Sequence, residues 1–370
     1  PFMQQPMVYR DGAGGEKGGV AILRMRTQEK DELCAVMKYS AHGMGHGHFD
    51  KLSYSCYDEL GEIIQDYGAA RWVNIDQKGG GRYLPENKTF AKQSIAHNTL
   101  VVDEQSHYEG SVKKGEAHHP DLYFSNLTAE NHQLVSAKDL HAYPGVEMHR
   151  TLILIDDKQL KKPMLVDVFR ANAATARQYD LPLWFQGHLL QSSFDYQTES
   201  SIQKPLGTAN GYQHIWKEAT GKSDTKNAKL TWLNKGNFFT MTSLVDEQDE
   251  LIFGRLGADD PAFNLRRDPC FLIRKKQVKE AVFISVVEAH GSYDPVTEIP
   301  TDPFSQLESI DLIHQDEKYT LFEICTKTGT WSIFLANQDA APDQQHELLI
   351  HDEKYVWQGA YQIQYLTNKN

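Results

Sequence analysis

Cysteine is scarce in this chain, with four in 370 residues: Cys34, Cys56, Cys270 and Cys325. They lie far apart and match no zinc or redox spacing, so the sequence offers no cysteine motif for a metal or a redox dithiol. Cys56 and Cys325 fall inside apolar runs, where a buried thiol is the expectation, and the redox compartment stays open. Positive charge is also short, at 38 Lys and Arg against 50 Asp and Glu, for a net −12. That balance argues against a nucleic-acid partner, because phosphate recognition needs a basic surface. It leaves room for an anionic substrate where a cleft is locally basic. No apolar run reaches about 18 residues, so no membrane-spanning helix is expected. The chain begins at Pro1, without Met or a signal peptide, and reads as a processed product or a piece of something longer.

Helical periodicity is nearly absent too. What recurs is the short alternating or wholly apolar run, such as "VAILRMR" (20–26), "CAVMKYS" (34–40), "KLSYSCYD" (51–58), "NTLVVDE" (98–104), "RTLILID" (150–156) and "MLVDVFRA" (164–171). Further runs, among them "AVFISVVEAH", "YTLFEICTK" and "TWSIFLAN", follow towards the C-terminus. These are rich in the β-branched and aromatic residues that suit a pleated, half-buried surface, and turn chemistry punctuates them. With 40% hydrophobic and 11% aromatic residues, the chain is globular and long enough for a large core. The expectation is an all-β fold, a large antiparallel multi-layer β-sandwich. Residues 1–19 read as an inter-domain linker and 20–370 as the β domain, with a subdivision near the proline-rich stretch 291–307. The polar stretch 197–229 reads as loop-rich decoration.

Chemistry concentrates in "GMGHGHFDKLSYSCYDELGEIIQDYG". Two strand-like runs flank the corner Asp58-Glu59-Leu60-Gly61, a two-residue hairpin loop. Pairing about that corner brings His48, before the first strand, close to Asp66, after the second. With His97 of "SIAHNTLVV" as a third member, the set is nitrogen and oxygen only and suits Zn²⁺ or a similar divalent ion. A His48–Asp66 hydrogen bond without metal is the open alternative. Between Asp66 and His97 lies "ARWVNIDQKGGGRYLPENKTFAKQS", basic and glycine-rich, with Arg71, Lys78, Arg82, Lys88, Lys92 and Tyr83. Such a loop beside clustered histidines could bind an anionic sugar, or be a solvated loop with no ligand.

The stretch from "GMGHGHFDKLS" through "QDYG" to "AHNTLVV" resembles the heparinase II/III-like C-terminal domain. More narrowly it is similar to the oligoalginate lyases of polysaccharide lyase family seventeen. "HAYPGVEMHRTLILID", "LPLWFQGH" and "GADDPAFNLRRDPCFLIR" support the match. The resemblance implies an N-terminal (α/α) toroid before the β domain, with the active site between them. No segment here carries a toroid's amphipathic helices, so the toroid of the parent protein becomes an implied partner. By motif, His48, Asp66 and His97 match zinc ligands in a structural role, His46 a cleft histidine, Arg71 a carboxylate contact and Tyr83 a catalytic tyrosine. Arg82 and Arg71 would favour the Tyr83 phenolate. Asp50 and Lys51 read as structural neighbours.

The implied reaction is β-elimination on an anionic oligosaccharide, with alginate oligomers as substrate. A periplasmic or secreted location follows from the same resemblance. Three other readings stay open: a non-catalytic sugar-binding or packing module, a metal-dependent hydrolase, and a glycosaminoglycan lyase of the heparin type. The last would want more Lys and Arg than the chain has.

Overall fold

The computed structural model describes residues 4–26, 32–68, 83–158, 160–199 and 201–367. Strands dominate, and every strand pairing among the described residues is antiparallel. The α-helix Val112–Glu116 is a single short turn.

The strands form three layers. The first is a five-stranded meander of Met7–Arg10, Gly19–Arg26, Glu32–Lys38, Ser53–Asp58 and Gly61–Ile64. The second is a fourteen-stranded sheet built around two long neighbours, Met164–Trp184 and Pro269–Asp294, paired from Met164↔Glu288 to Trp184↔Cys270. The third is a four-stranded sheet of Leu307–Gln315, Tyr319–Thr326, Gly329–Ala336 and Tyr361–Thr367. A ribbon of Gln345–Ile350 and Glu353–Gln358 accompanies it.

Successive side chains of a strand point to opposite faces, and here both faces of the central sheet are covered. Leu165 and Phe169 therefore join Leu23, Met37 and Leu152 in one buried cluster against the meander. Val166 and Val168 join Ile324 and Ile333 in a second cluster against the C-terminal sheet. This is why "MLVDVF" is apolar at nearly every position rather than at alternate ones.

Three local expectations differ from the structure. Met7–Arg10, within the predicted linker, is an edge strand in register with Gly19–Ile22. In 98–104 only Val101–Val102 is a strand, because Asp103 and Glu104 turn left-handed at φ 51° and 57°. Within 197–229 runs the strand Ile215–Gly221, and Asn227–Asn234 begins there with Ala228, Leu230 and Trp232 buried and their neighbours partly exposed. Its first residues, Asn227-Ala228-Lys229, continue the polar stretch, which hid where the strand starts. The stretch 291–307 carries the end of the long strand and its pairing with Ile299–Thr301, then leads to the C-terminal sheet.

All four cysteines are free thiols, and Cys34, Cys56 and Cys270 are buried. No helix among the described residues is long and apolar enough to cross a membrane.

Candidate functional site

The meander gathers the site at one end. Ser53–Asp58 and Gly61–Ile64 pair at Asp58↔Gly61, leaving the two-residue loop Glu59-Leu60 and delivering Asp66 two residues past the second strand. The preceding strand pairs Lys38 with Ser53, so Lys38 ends at the same edge. Asp50 opens a turn that Ser53 closes, its N–H donating to the Asp50 carbonyl at 3.1 Å. The glycine between the two histidines is compulsory: a Cβ at Gly47 would stand 1.4 Å from the His42 carbonyl oxygen. His97 arrives from the far side, directly after the 3-10 turn Ser94–Ala96.

At this end His97 Nδ1 hydrogen-bonds Asp66 Oδ1, and Lys38 Nζ donates to Asp66 Oδ2. Lys38 also reaches Asp50 Oδ2 at 3.2 Å, and Lys51, almost fully buried, approaches Asp50 Oδ1 at 3.3 Å. The His48 ring lies 5.2 Å from that of His97, centroid to centroid. One donor atom from each of Asp50, Asp66 and His97 lies within 4.8 Å of the other two.

Burial pushes both carboxyls up, but their neighbours more than offset it. The His97 ring and Lys38 ammonium hold Asp66 well below the usual carboxylate range, and Lys38 and Lys51 do the same for Asp50. Burial, with the His97 ring beside it, lowers His48 to about 4, so the imidazole is neutral near pH 7. Neutral imidazole is the form that binds metal. His97 Nε2 is buried and has no hydrogen-bond partner among the described residues. Two imidazoles, one with an orphaned nitrogen, beside two ionised carboxylates suit a divalent cation such as Zn²⁺.

A shell of directed hydrogen bonds fixes the segments that carry these groups. Asn98 donates through Nδ2 to the Tyr54 and Gln65 carbonyls at 3.0 and 2.6 Å, and its Oδ1 accepts from Trp184 N–H at 2.7 Å. Thr99 Oγ1 donates to the Lys51 carbonyl at 2.5 Å. The Lys51 N–H donates to His107 Nδ1 at 3.2 Å, which leaves Nε2 as the protonated nitrogen facing the Leu100 carbonyl at 3.1 Å. Arg150 reaches the carbonyls of both Leu52 and Asn98.

The structure thus gathers Asp50, Asp66 and His97 within ligand distance of one another, with Lys38 bridging the two carboxylates; of the expected set, His48 stands beside them with its ring 5.2 Å from that of His97. His46, itself exposed, ends the 3-10 turn Met44–His46, two residues before His48. Tyr83 is 74% exposed. It opens the segment whose Lys92 ties back to the His46 loop, donating from Nζ to the Gly45 carbonyl at 2.6 Å and accepting Phe49 N–H at 3.0 Å. Arg71 and Arg82 lie outside the described residues. Lys38 and Asn98 escaped the sequence reasoning. For Asn98 a signal existed, since a polar residue directly after His97 opens an apolar strand-like run.

A family model described as heparinase II/III-like, C-terminal, matches residues 8–297. An exo-oligoalginate lyase of Saccharophagus degradans is 37% identical over 362 residues, covering 97% of this chain and 49% of that protein. An alginate lyase of Stenotrophomonas maltophilia is 38% identical over 361 residues, covering 98% and 48%. The chain therefore spans about half the length of the curated relatives it matches. Among solved structures, a heparan sulfate lyase from Pedobacter heparinus aligns with a TM-score of 0.57 at 14% identity, over 92% of this chain and 44% of that one. A likeness at that identity speaks for the fold alone.

Proposed function

The chain belongs to the heparinase II/III-like C-terminal family, and on that premise we propose that it is the β-sheet half of an alginate-type polysaccharide lyase. The observation that carries the proposal is the clasp of three segments, bearing His46 and His48, Asp66, and Tyr83 through His97, at one end of the meander. Relatives of more than a third identity over nearly the whole chain, named as alginate lyases, support it. They are about twice as long, which leaves room for the toroid that would close the cleft.

In this reading the substrate is an oligomer of unsulfated uronate, cleaved by β-elimination. A base takes the proton on C5, the C4–O bond to the departing sugar breaks, and the electron pair forms the C4–C5 double bond. The leaving oxygen collects a proton. The C5 proton becomes acidic enough only when charge developing on the adjacent carboxylate is stabilised, a task for His46 and Arg71. Tyr83 handles one of the two proton transfers; its phenolate form needs cations near it, for which Arg71 and Arg82 are the candidates. His48, Asp66 and His97 would hold a zinc ion that supplies fixed positive charge at the base of the segment carrying Tyr83. Its role is structural. A polymer of this kind is met outside the cell, so this reading carries a periplasmic or secreted location with it.

The test is the ultraviolet absorbance of the unsaturated uronate released from alginate oligomers, with heparan oligomers in parallel. Absorbance gain on alginate supports the proposal. Gain on heparan alone replaces the substrate, and cleavage without a double bond replaces elimination with hydrolysis.

A further inference from the structure

The turn in "GADDPAFNLRRDP" lies outside the ligand cluster, yet it is fastened to Tyr67, next to Asp66, and to Glu86, close to Tyr83. Asp260 organises it: its two carboxylate oxygens accept the Asn264 and Leu265 N–H groups, each at 2.9 Å, and its carbonyl accepts Phe263 N–H at 3.1 Å. From this turn Arg266 N–H donates to Tyr67 Oη at 3.1 Å, one residue past Asp66. Asn264 Nδ2 donates to Glu86 Oε2 at 3.1 Å, three residues past Tyr83, and both side chains are buried. Leu265 packs in one buried cluster with Tyr67 and Phe90. The turn therefore stands at the rim of the Tyr83 segment and has little freedom to move.

Phe263 sits at its tip with φ +55°, a left-handed conformation that bulky side chains rarely adopt. The Phe263 side chain is also 64% exposed. Neither feature helps the fold, since Asn would adopt this φ more easily and would not put an apolar ring in water. Strain of this kind persists where the surroundings over-determine it, and it clusters at ligand clamps.

We infer that Phe263 is a platform for a sugar ring of the substrate, presenting its face to the apolar C–H face of a uronate pyranose beside Tyr83. The assignment rests on the lyase reading given above. An aromatic face is electronegative and attracts the slightly positive C–H edge of a saturated ring, while both surfaces leave water. The platform carries no charge, so it contributes nothing to recognition of the uronate carboxylate. Phe263 positions substrate equally before and during reaction, so its loss raises KM and leaves kcat nearly unchanged.

The experiment titrates the chain with an alginate trisaccharide by calorimetry, with thermal melts alongside. Phe263→Asn is the main variant, with Phe263→Trp and Phe263→Leu for comparison. Phe263→Asn should bind about tenfold more weakly while melting at or above the wild-type temperature, since Asn tolerates this backbone. Phe263→Trp should bind within about threefold of wild type, as an aromatic face is retained. Unchanged affinity in Phe263→Asn overturns the platform, as does absence of wild-type binding. A lowered melting temperature with affinity restored equally by Phe263→Leu also overturns it, in favour of plain packing. Should the wild type bind, and Phe263→Asn lose affinity, while the full-length enzyme with its N-terminal half forms no unsaturated product, the platform stands and the lyase reading falls.

Discussion

Arg150 and Asp167 form a buried bidentate pair, Nε to Oδ1 at 2.8 Å and Nη2 to Oδ2 at 2.6 Å, beneath the candidate site. The remaining terminal nitrogen, Nη1, donates to the Leu52 carbonyl at 2.6 Å and the Asn98 carbonyl at 2.5 Å. Leu52 is left-handed at φ 58°, two residues after Asp50, and Asn98 follows His97. One guanidinium thus spans both arms of the site, held in turn between the rings of Tyr54 and Phe169 at 4.5 and 4.8 Å. Asp167 balances a charge that would otherwise be stranded.

Arg150→Met should destabilise the protein by about 3–5 kcal/mol, because it strands a buried carboxylate and two carbonyls. Arg150→Met with Asp167→Leu removes the stranded charge but leaves both carbonyls unpaired, so recovery should be incomplete. Denaturant midpoints for the four members of the cycle measure this. A double variant as stable as the wild type would show that the grip on the two arms contributes nothing.

Metal should behave as a component of the fold. The wild-type protein is expected to hold close to one zinc per chain, and chelation should lower its melting temperature. Asp66→Asn and His97→Gln should melt near the chelated wild type and respond little to chelator. With free metal about a thousandfold above Kd, the linked stabilisation is ~4 kcal/mol. Elemental analysis and paired melts decide it; a wild type indifferent to chelation would leave the cluster as a salt-bridge network centred on Lys38.

The parts of the site closest together in sequence were the legible ones. His48 and Asp66 follow from a two-residue hairpin loop, whose register is local. Lys38 depends on the register between two strands joined through residues 39–52, which no short-range pattern specifies. His97 was offered as a histidine at the head of another strand-like run, one among sixteen histidines, and the family motif then supported it. Arg150 and Asp167 left a trace that went unread: each occupies the same alternate face as buried apolar neighbours, Met148 and Leu152 for one, Leu165 and Phe169 for the other. Opposite charges in core positions of two neighbouring strands are a buried pair waiting for a partner. The layered all-β architecture was legible because apolar runs short enough for strands recur through most of the chain. The start of the strand at 227–234 was not, because its first three residues run on from the polar stretch before it.

Tyr83→Phe removes one hydroxyl from a side chain that is 74% exposed, so its effect on stability should stay within about 0.5 kcal/mol. In the active enzyme, kcat on alginate oligomers should fall by about 10²–10⁴-fold, as expected when a proton-transfer group is lost. His46→Ala should also depress kcat. Near-normal turnover in Tyr83→Phe would take that residue out of the chemistry.

Acid should loosen the Lys51 turn through His107. Burial lowers this imidazole to about 4, and its Nδ1 is the acceptor for the Lys51 N–H, so protonation there would break the bond. An unfolded histidine titrates near ~6.5. Above that pH both states are neutral at this position and the full contribution is present. As pH falls from about 6.5 towards 4, the unfolded chain takes up a proton that the folded chain refuses. Stability then drops by up to ~1.4 kcal/mol per pH unit, of order 3 kcal/mol in all, and levels off below 4. His149, also buried and pushed well below the ordinary range, adds to the same limb. His107→Asn can keep an oxygen acceptor for Lys51 N–H without a titrating ring. Its stability should decline less steeply over this window, with a residual slope from His149. Parallel slopes for the variant and the wild type, in urea midpoints at stepped pH, would assign the acid sensitivity elsewhere.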